Sequence, residues 1–148
     1  MPERVIRLTT DAVLFWDAEH VVLIRRGRPP YEGHFALPGG FVEYGERVEE
    51  AILREVREET GLEAQIVDLL GVYSDPRRDP RGHTVTIVFV LRRLRGALRA
   101  GDDAREAVRV PFPVDEALPL AFDHREILRD AIRWWSVHRP QLGGPATE

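Results

Sequence analysis

The chain has 148 residues, enough to bury the core of one domain, and it has no cysteine, which excludes thiol nucleophiles and zinc–thiolate sites. Its composition, 43% hydrophobic and 31% charged, fits a folded domain, and no apolar run approaches the ~20 residues that a membrane-spanning helix needs. The net charge of −4 argues against nonspecific nucleic-acid binding, and all 21 basic residues are arginine, which excludes lysine-based catalysis. The first residues lack the basic flank and apolar stretch of a secretory signal. We therefore expect a cytoplasmic protein with neither membrane nor nucleic-acid partners.

The order of predicted elements mixes strands with two helices. β-Branched and apolar residues predict strands at 5–17, 21–25, 64–73, 84–92 and 107–110. Apolar residues at helical spacing predict a helix over 46–60, ended by Gly61, and a closing helix over 122–137. Gly, Pro and Asp residues predict loops at 26–38, 74–82 and around 101–103. The prediction is an α/β fold with helices on both sides of a mixed sheet, forming a single domain over 1–140 with a flexible tail over 141–148.

The first predicted helix carries three glutamates on one face. Glu55, Glu58 and Glu59 stand at i, i+3 and i+4, so their carboxylates project within a single turn. Like charges at this spacing repel one another unless a cation lies among them. Oxygen ligands suit a hard divalent ion, Mg²⁺ or Mn²⁺, better than zinc. The alternative is a solvated acidic face, which is common on surface helices.

A longer pattern surrounds these glutamates. It consists of a glycine, five residues, a glutamate, seven residues and then Arg-Glu-U-x-Glu-Glu-x-Gly-U, where U is aliphatic, and it runs here from Gly40 to Leu62. Given this chain's own composition, such a match would arise by chance roughly once in a million. It matches, position for position, the signature box of the Nudix hydrolases, and the chain therefore resembles that family.

The resemblance implies an α/β/α sandwich over the whole chain and hydrolysis of a nucleoside diphosphate linked to another group. The implied metal ligands are the Gly39 carbonyl, Glu55, Glu58 and Glu59. Mg²⁺ is the implied cofactor, with Mn²⁺ as a substitute, and the three glutamates are then catalytic. Glu46 and Arg54 match the pair that braces the box loop against the helix. A simple helical contact of Arg54 with Glu50 or Glu58 is the alternative for that arginine.

The segment 71–83 resembles the short ADP-ribose pyrophosphatases of archaea and bacteria, with Pro76 fifteen residues beyond Gly61. The implied reaction is hydrolysis of ADP-ribose to AMP and ribose 5-phosphate. Arg78 and Arg81, on a loop framed by prolines, are predicted to bind the phosphate or ribose of the substrate. Loop shaping is the alternative, because Asp-Pro pairs start turns.

Other functions stay open at this point. Within the enzyme class they are hydrolysis of a diadenosine polyphosphate, another nucleotide sugar or an oxidised nucleoside triphosphate. From another class, the alternative is an ADP-ribose-binding module without catalysis, and the intact set of glutamates argues against it.

A general base is expected from an acidic loop well downstream of the box, as in many members of the family that the chain resembles. The candidates are Asp102, Asp103 and Glu106, and Glu106 is preferred because it stands at the entry to a strand. A solvated acidic loop is the alternative, which would leave the base among the box glutamates. The pair Trp134–Trp135 suits a homodimer interface, although core packing explains at least one of the two rings.

Overall fold

The computed structural model describes residues 4–101 and 104–143. The elements are β1 (Arg7–Asp17), β2 (His20–Arg26), β3 (Phe35–Ala36), β4 (Gly39–Phe41), α1 (Val48–Thr60), β5 (Glu63–Tyr73), β6 (Thr84–Arg95), β7 (Ala104–Pro111), α2 (His124–His138) and a 3₁₀ turn (Arg139–Leu142). The strands form one sheet in the order β3-β2-β1-β6-β5, with β4 beside β1 and β7 beside β2. Only the β1–β6 pair is parallel among the described strand pairs. The predicted mixed sheet is confirmed.

The two faces of β1 belong to two separate apolar clusters. Ala12 and Leu14 pack in a cluster with Ile52 of α1. Val13 and Phe15 point the other way and pack in the cluster that holds the apolar side of α2. Successive residues of a strand point to opposite faces, so β1 contributes side chains to both the α1-side cluster and the α2-side cluster. The molecule is the predicted α/β/α sandwich.

The ends of α1 show which parts of the box are helical. At the start, the Glu50 carboxylate accepts the Arg47 backbone N–H at 2.8 Å, which satisfies a donor that the helix leaves unpaired. At the end, Gly61 has φ 78° and its N–H donates to the Arg57 carbonyl, as predicted. The helix begins at Val48 rather than 46, because Glu46 still belongs to the preceding loop and accepts the Glu43 N–H.

Two predictions about the ends and loops are wrong. The region 26–38, predicted to be loop, contains β3, and β4 follows directly after it. The predicted tail at 141 is also too early, because Leu142 is buried against the α2 side of the sheet, and residues 144–148 lie outside the described residues. Within the described part of the chain, the helices are too short or too polar to cross a membrane.

The tryptophans of α2 do not form an exposed pair. Trp134 is only 8% exposed, and its indole N–H donates to Asp68. The indole N–H of Trp135 donates to the Ala18 carbonyl at 2.7 Å. Both rings therefore attach α2 to the sheet, and the surface predicted for a dimer contact is used inside the molecule.

Candidate active site

A cavity of about 500 Å³ opens between the box loop, α1, the loop after β5 and the start of α2. Carboxylates in its lining, the cavity carboxylates, are Asp11, Glu43, Glu55, Glu59 and Asp79. Arginines in its lining, the cavity arginines, are Arg26, Arg28, Arg78 and Arg81. Apolar side chains in its lining are Ile24, Pro29, Ala36, Leu37, Phe41 and Phe122. The cavity thus offers oxygen ligands for a cation and guanidinium groups for an anion.

The two box glycines lie where the backbone passes very close to carboxylates. A Cβ on Gly39 would stand 2.3 Å from Asp11 Oδ1 and 2.2 Å from the Thr10 carbonyl oxygen. A Cβ on Gly40 would stand 2.5 Å from Glu55 Oε2. Real side-chain atoms do not approach this closely, so a side chain at Gly39 would clash with fixed backbone, whereas one at Gly40 would have to displace the Glu55 carboxylate. The glycines therefore allow β4 to lie directly against the cavity carboxylates.

The three box glutamates do not all face the cavity. Glu59 lines it, and its Oε1 accepts the Gly39 N–H at 2.9 Å. Glu55 also lines it, and burial raises the pKa of its carboxyl although Arg54 opposes that rise. Glu58 is outside the lining: its side chain is 59% exposed and contacts Arg54. Two of the three predicted carboxylates are thus directed into the cavity.

Arg54 bonds to both the box loop and the helix. Its Nε donates to Glu46 Oε2 at 2.7 Å and its Nη2 donates to Glu46 Oε1 at 3.0 Å. The same guanidinium donates to the Phe41 carbonyl and to Glu55. The helical contact with Glu58 is present as well, so both interpretations of Arg54 hold. Arg54 fixes the position of Glu55 from one side while β4 limits it from the other.

A buried polar group next to Gly39 was missed at the level of the sequence. Asp11 is 8% exposed, and its Oδ2 accepts the Thr86 hydroxyl at 2.6 Å. Burial lowers the pKa of His124, whose Nδ1 accepts the Leu37 N–H, so that the neutral ring carries its proton on Nε2. That nitrogen stands 3.9 Å from Asp11 Oδ1. The signal in the sequence is an aspartate within a predicted strand, directly before the apolar run 12–16.

Arg78 does not have the surroundings predicted for a substrate ligand. Its Nε and Nη2 donate to the two carboxylate oxygens of Asp123 at 2.9 and 2.7 Å, and its Nη1 donates to Thr84 at 2.7 Å. Its side chain is 4% exposed. A buried guanidinium held at three points stabilises the loop after β5 against the start of α2. The geometry favours the loop-shaping alternative for this residue.

Arg81 is more accessible than Arg78. Its side chain is 45% exposed, and it is held by Asp79, whose carboxylate also accepts the Arg81 backbone N–H. Its Cζ lies 5.3 Å from the ring centre of Phe41 and 5.6 Å from that of Phe122. Bonds with Arg81 keep the pKa of Asp79 below its usual range although burial acts to raise it. Arg81 is thus a charged group at the cavity, with its direction set by its neighbours.

Glu106 lies on the wrong face of the sheet to act with the box glutamates. It pairs with Arg25 across β7 and β2, and Arg25 Nη1 stands 3.6 Å from Glu106 Oε1. The Arg25 guanidinium lies over Phe35, whose ring packs in the α2-side cluster. Glu106 is therefore on the α2 side and is absent from the cavity lining, whereas Glu55 and Glu59 project from α1. Asp102 and Asp103 lie outside the described residues.

The residues around Gly39 fit a hard divalent cation by their chemistry. Asp11, Glu55 and Glu59 supply carboxylate oxygens, and the cavity lining holds no sulfur ligand. In the parts of the chain that are described, no three acidic or histidine side chains are yet arranged around one point. Glu55 and Glu58 both accept hydrogen bonds from Arg54.

The fold and the box together define the class of protein. Residues 5–135 match the family model of the NUDIX domain, and the chain belongs to that family. Nudix hydrolases generally use divalent metal ions.

Two curated relatives are similar to this chain over most of its length. An ADP-ribose pyrophosphatase of Methanocaldococcus jannaschii is 55% identical over 114 residues, which are 77% of this chain and 66% of that protein. The ADPR responsive transcriptional repressor NtrR of Acinetobacter baylyi is 30% identical over 130 residues, which are 84% of this chain and 52% of that protein. The chain thus spans slightly less than two thirds of the first relative and about half of the second.

Solved structures agree with the fold. The NUDIX domain of Shewanella oneidensis NrtR, complexed with ADP ribose, superposes with a TM-score of 0.80 at 29% identity, covering 89% of this chain and 90% of that one. A MutT/nudix family protein of Enterococcus faecalis has a TM-score of 0.79 at 31% identity, covering 96% of this chain and 68% of that one.

Proposed function

We propose that the protein hydrolyses the diphosphate of ADP-ribose, with a divalent metal ion, to AMP and ribose 5-phosphate. The observation that carries the proposal is the cavity in which the box carboxylates and four arginines line a single space. The similarity to the M. jannaschii ADP-ribose pyrophosphatase supports this choice of substrate.

The metal site is proposed at the Gly39 carbonyl, Glu55, Glu58 and Glu59, with Mg²⁺ as the ion and Mn²⁺ as a substitute. The ion, when bound, would neutralise the charge of the diphosphate and favour attack by water. The close fit of Gly40 against Glu55 and the bond from Gly39 to Glu59 support this position. The ion pair between Arg54 and Glu46 holds the helix next to the box loop, which keeps the ligands from the two segments at a fixed spacing.

For the substrate, we assign the phosphate contact to Arg81 and loop bracing to Arg78. Arg81 has an accessible guanidinium at the cavity, whereas three donors of Arg78 are directed to Asp123 and Thr84. A guanidinium can bind two oxygens of one phosphate, which suits a diphosphate. The proton acceptor is proposed among Glu55 and Glu59, which line the cavity, and no longer at Glu106.

A second candidate function is ADP-ribose binding without catalysis. It is favoured by the similarity to the NtrR repressor and to the NUDIX domain of NrtR. The two box glutamates that face the cavity argue for the enzyme, because a binding module has no need for a metal-activated water. Hydrolysis of another Nudix substrate remains the alternative within the enzyme class.

The deciding experiment is a substrate panel with the purified chain and Mg²⁺. ADP-ribose, a diadenosine polyphosphate, a second nucleotide sugar and an oxidised nucleoside triphosphate are compared, and the products are separated by anion-exchange chromatography. We expect AMP and ribose 5-phosphate from ADP-ribose, with the highest kcat/KM of the panel. Calorimetric binding of ADP-ribose without product would establish the binding module instead. A Glu59→Gln variant is the control for a contaminating hydrolase.

The protein is further proposed to be cytoplasmic and to act on a small nucleotide without nucleic-acid or membrane partners, as its acidic composition suggests. Homodimer formation stays a prediction that no longer rests on the tryptophans of α2. Sedimentation of the purified chain over a range of concentrations tests it directly.

A further inference from the structure

Two aromatic residues in contact with each other, one of them in the cavity lining, have an unusual backbone conformation. Tyr31 has φ 60° and Phe122 has φ 52°, and they are the non-glycine residues with positive φ in the described part of the chain. Their rings contact each other edge to face, with centroids 4.9 Å apart. Side chains are disfavoured in this left-handed region, and such residues cluster at ligand sites. Of the two, Phe122 is the one whose residue lines the cavity.

Two of the cavity arginines lie on this ring. The Cζ of Arg26 is 5.1 Å and that of Arg81 is 5.6 Å from the Phe122 ring centre, both within cation–π range. The two arginines come from distant parts of the chain, the end of β2 and the loop after β5. Like charges repel one another, so a ring that attracts both guanidinium groups offsets the cost of holding them at one site.

Each of these guanidinium groups is also held by hydrogen bonds to its surroundings. Nε of Arg26 donates to the Pro30 carbonyl at 2.6 Å. Nε and Nη2 of Arg81 donate to Asp79 at 3.1 and 2.9 Å. These partners differ between the two arginines, whereas the Phe122 ring is a contact that both guanidinium groups share.

We propose that Phe122 is a positioning residue that holds Arg26 and Arg81 as a two-arginine clamp for the diphosphate of the substrate. The clamp rests on the proposed function in that a nucleoside diphosphate is its ligand. Phe122 acts through the two arginines and does not itself contact the reacting atoms. Its loss should weaken binding of a diphosphate and leave the chemical step nearly unchanged.

Apolar packing is the competing explanation for Phe122, since its ring also packs near Ile24, Ala36 and Ala121. Phe122→Leu keeps an apolar side chain but removes the ring, and Phe122→Tyr keeps the ring. The matched control is Phe35→Leu, because the Phe35 ring lies under Arg25 at 5.6 Å, a similar contact outside the cavity lining. Packing alone predicts that the two leucine variants behave alike.

Binding of inorganic pyrophosphate, measured by calorimetry, tests the clamp without turnover. We expect Phe122→Leu to weaken pyrophosphate binding and to raise KM for ADP-ribose by about threefold to tenfold, with kcat within about twofold. Phe122→Tyr should restore both values, and Phe35→Leu should match the parent. Unchanged pyrophosphate binding in Phe122→Leu, or an equal loss in Phe35→Leu, overturns the clamp. A parent that binds pyrophosphate but does not cleave ADP-ribose overturns the proposed function alone.

A double-mutant cycle separates positioning from packing. In an Arg81→Ala background the effect of Phe122→Leu on pyrophosphate binding should shrink, because one of the two positioned groups is gone. A full effect in that background contradicts the clamp. If Phe122→Leu does not fold, pentafluorophenylalanine at 122 keeps the shape of the ring and reverses its quadrupole. The same loss of pyrophosphate binding is expected from it, and parent-like binding refutes the proposal.

Discussion

Arg54 and Glu46 form a two-point ion pair, with 2.7 Å between Nε and Oε2 and 3.0 Å between Nη2 and Oε1. The pair joins the first helix to the loop before it, at the edge of the cavity. Because the guanidinium bonds to the ionised carboxylate, the pKa of Glu46 falls to about 2. The carboxylate of Glu46 therefore stays ionised in the folded protein until the pH approaches 2, and the pair stays intact over that range.

The first prediction concerns how the free energy of unfolding changes at acidic pH. The pKa of Glu46 is depressed from 4.5 in the unfolded chain to about 2, so the pair stabilises the fold above pH ~4.5 and this contribution is lost as the pH falls towards 2. Glu46→Gln should be less stable than the parent at neutral pH, and the difference should vanish near pH 2. Urea unfolding across this pH range measures it. A difference that is constant with pH would contradict the assignment.

Glu59→Gln should lower kcat for ADP-ribose about a hundredfold or more while the fold is retained. The amide keeps the shape of the side chain and can still accept the Gly39 N–H, but it removes a charge needed by the metal ion. Steady-state kinetics at saturating Mg²⁺ and a thermal melt are the measurements. Glu49→Gln, at an exposed position in the first turn of the same helix, is the control and should be fully active.

Gly40→Ala should disable the enzyme by displacing Glu55. The added Cβ would stand 2.5 Å from Glu55 Oε2, so the carboxylate must move away from β4. We expect a large loss of kcat, and weaker binding of Mn²⁺ by the isolated protein. Gly71→Ala serves as the comparison, because the nearest atom to its Cβ would be 3.6 Å away, an ordinary contact. Equal activity of the two variants would show that Glu55 is not positioned by the glycine.

Arg78→Ala and Arg81→Ala should fail in different ways. Removal of Arg78 leaves Asp123 without its partner at a poorly accessible position, and it should cost about 3 kcal/mol of folding stability. Removal of Arg81 should raise KM for ADP-ribose about ten- to a hundredfold with little change in melting temperature. Melting curves and kinetics of both variants are compared. The reverse pattern would indicate that Arg78, and not Arg81, binds the substrate.

Glu106→Gln should retain nearly normal kcat and KM. Its carboxylate is 46% exposed and pairs with Arg25 at 3.6 Å, and an exposed pair of this kind contributes at most about 1 kcal/mol. The pH profile of kcat should match that of the parent. A flattened acidic limb in the pH profile of kcat of the variant would indicate that Glu106 is the general base.

The box helix could be predicted closely because its information is local. Apolar spacing and Gly61 gave the helix and its end, and the glutamate spacing gave the shared face. The sequence could not show how Glu58 is oriented, because the direction of its side chain depends on competition for Arg54. The short strands β3 and β4 escaped prediction, because two or three residues carry no periodicity.

The surroundings of Arg78 and Glu106 could not be predicted from the sequence, for a common physical reason. The partner of Arg78, Asp123, lies 45 residues further along the chain, so nothing near Arg78 reveals the ion pair. Glu106 was placed at the entry to a strand, yet the face on which its side chain lies is set by the register of β7 against β2. A shift of one residue would have placed it on the α1 side. Pairing partners of this kind become visible only in three dimensions.

The ion pair between Arg78 and Asp123 gives two arginines of one loop different roles: Arg78 braces the loop, and Arg81 is available to the substrate. The pair holds the loop after β5 against the start of α2. Arg81, three positions later, lines the cavity. Selection for a different anionic substrate can therefore act on Arg81 alone, whereas Arg78 and Asp123 should change only as a pair. In a directed-evolution experiment on this scaffold, new specificities should accumulate at position 81 and at its aromatic neighbours while 78 and 123 stay fixed.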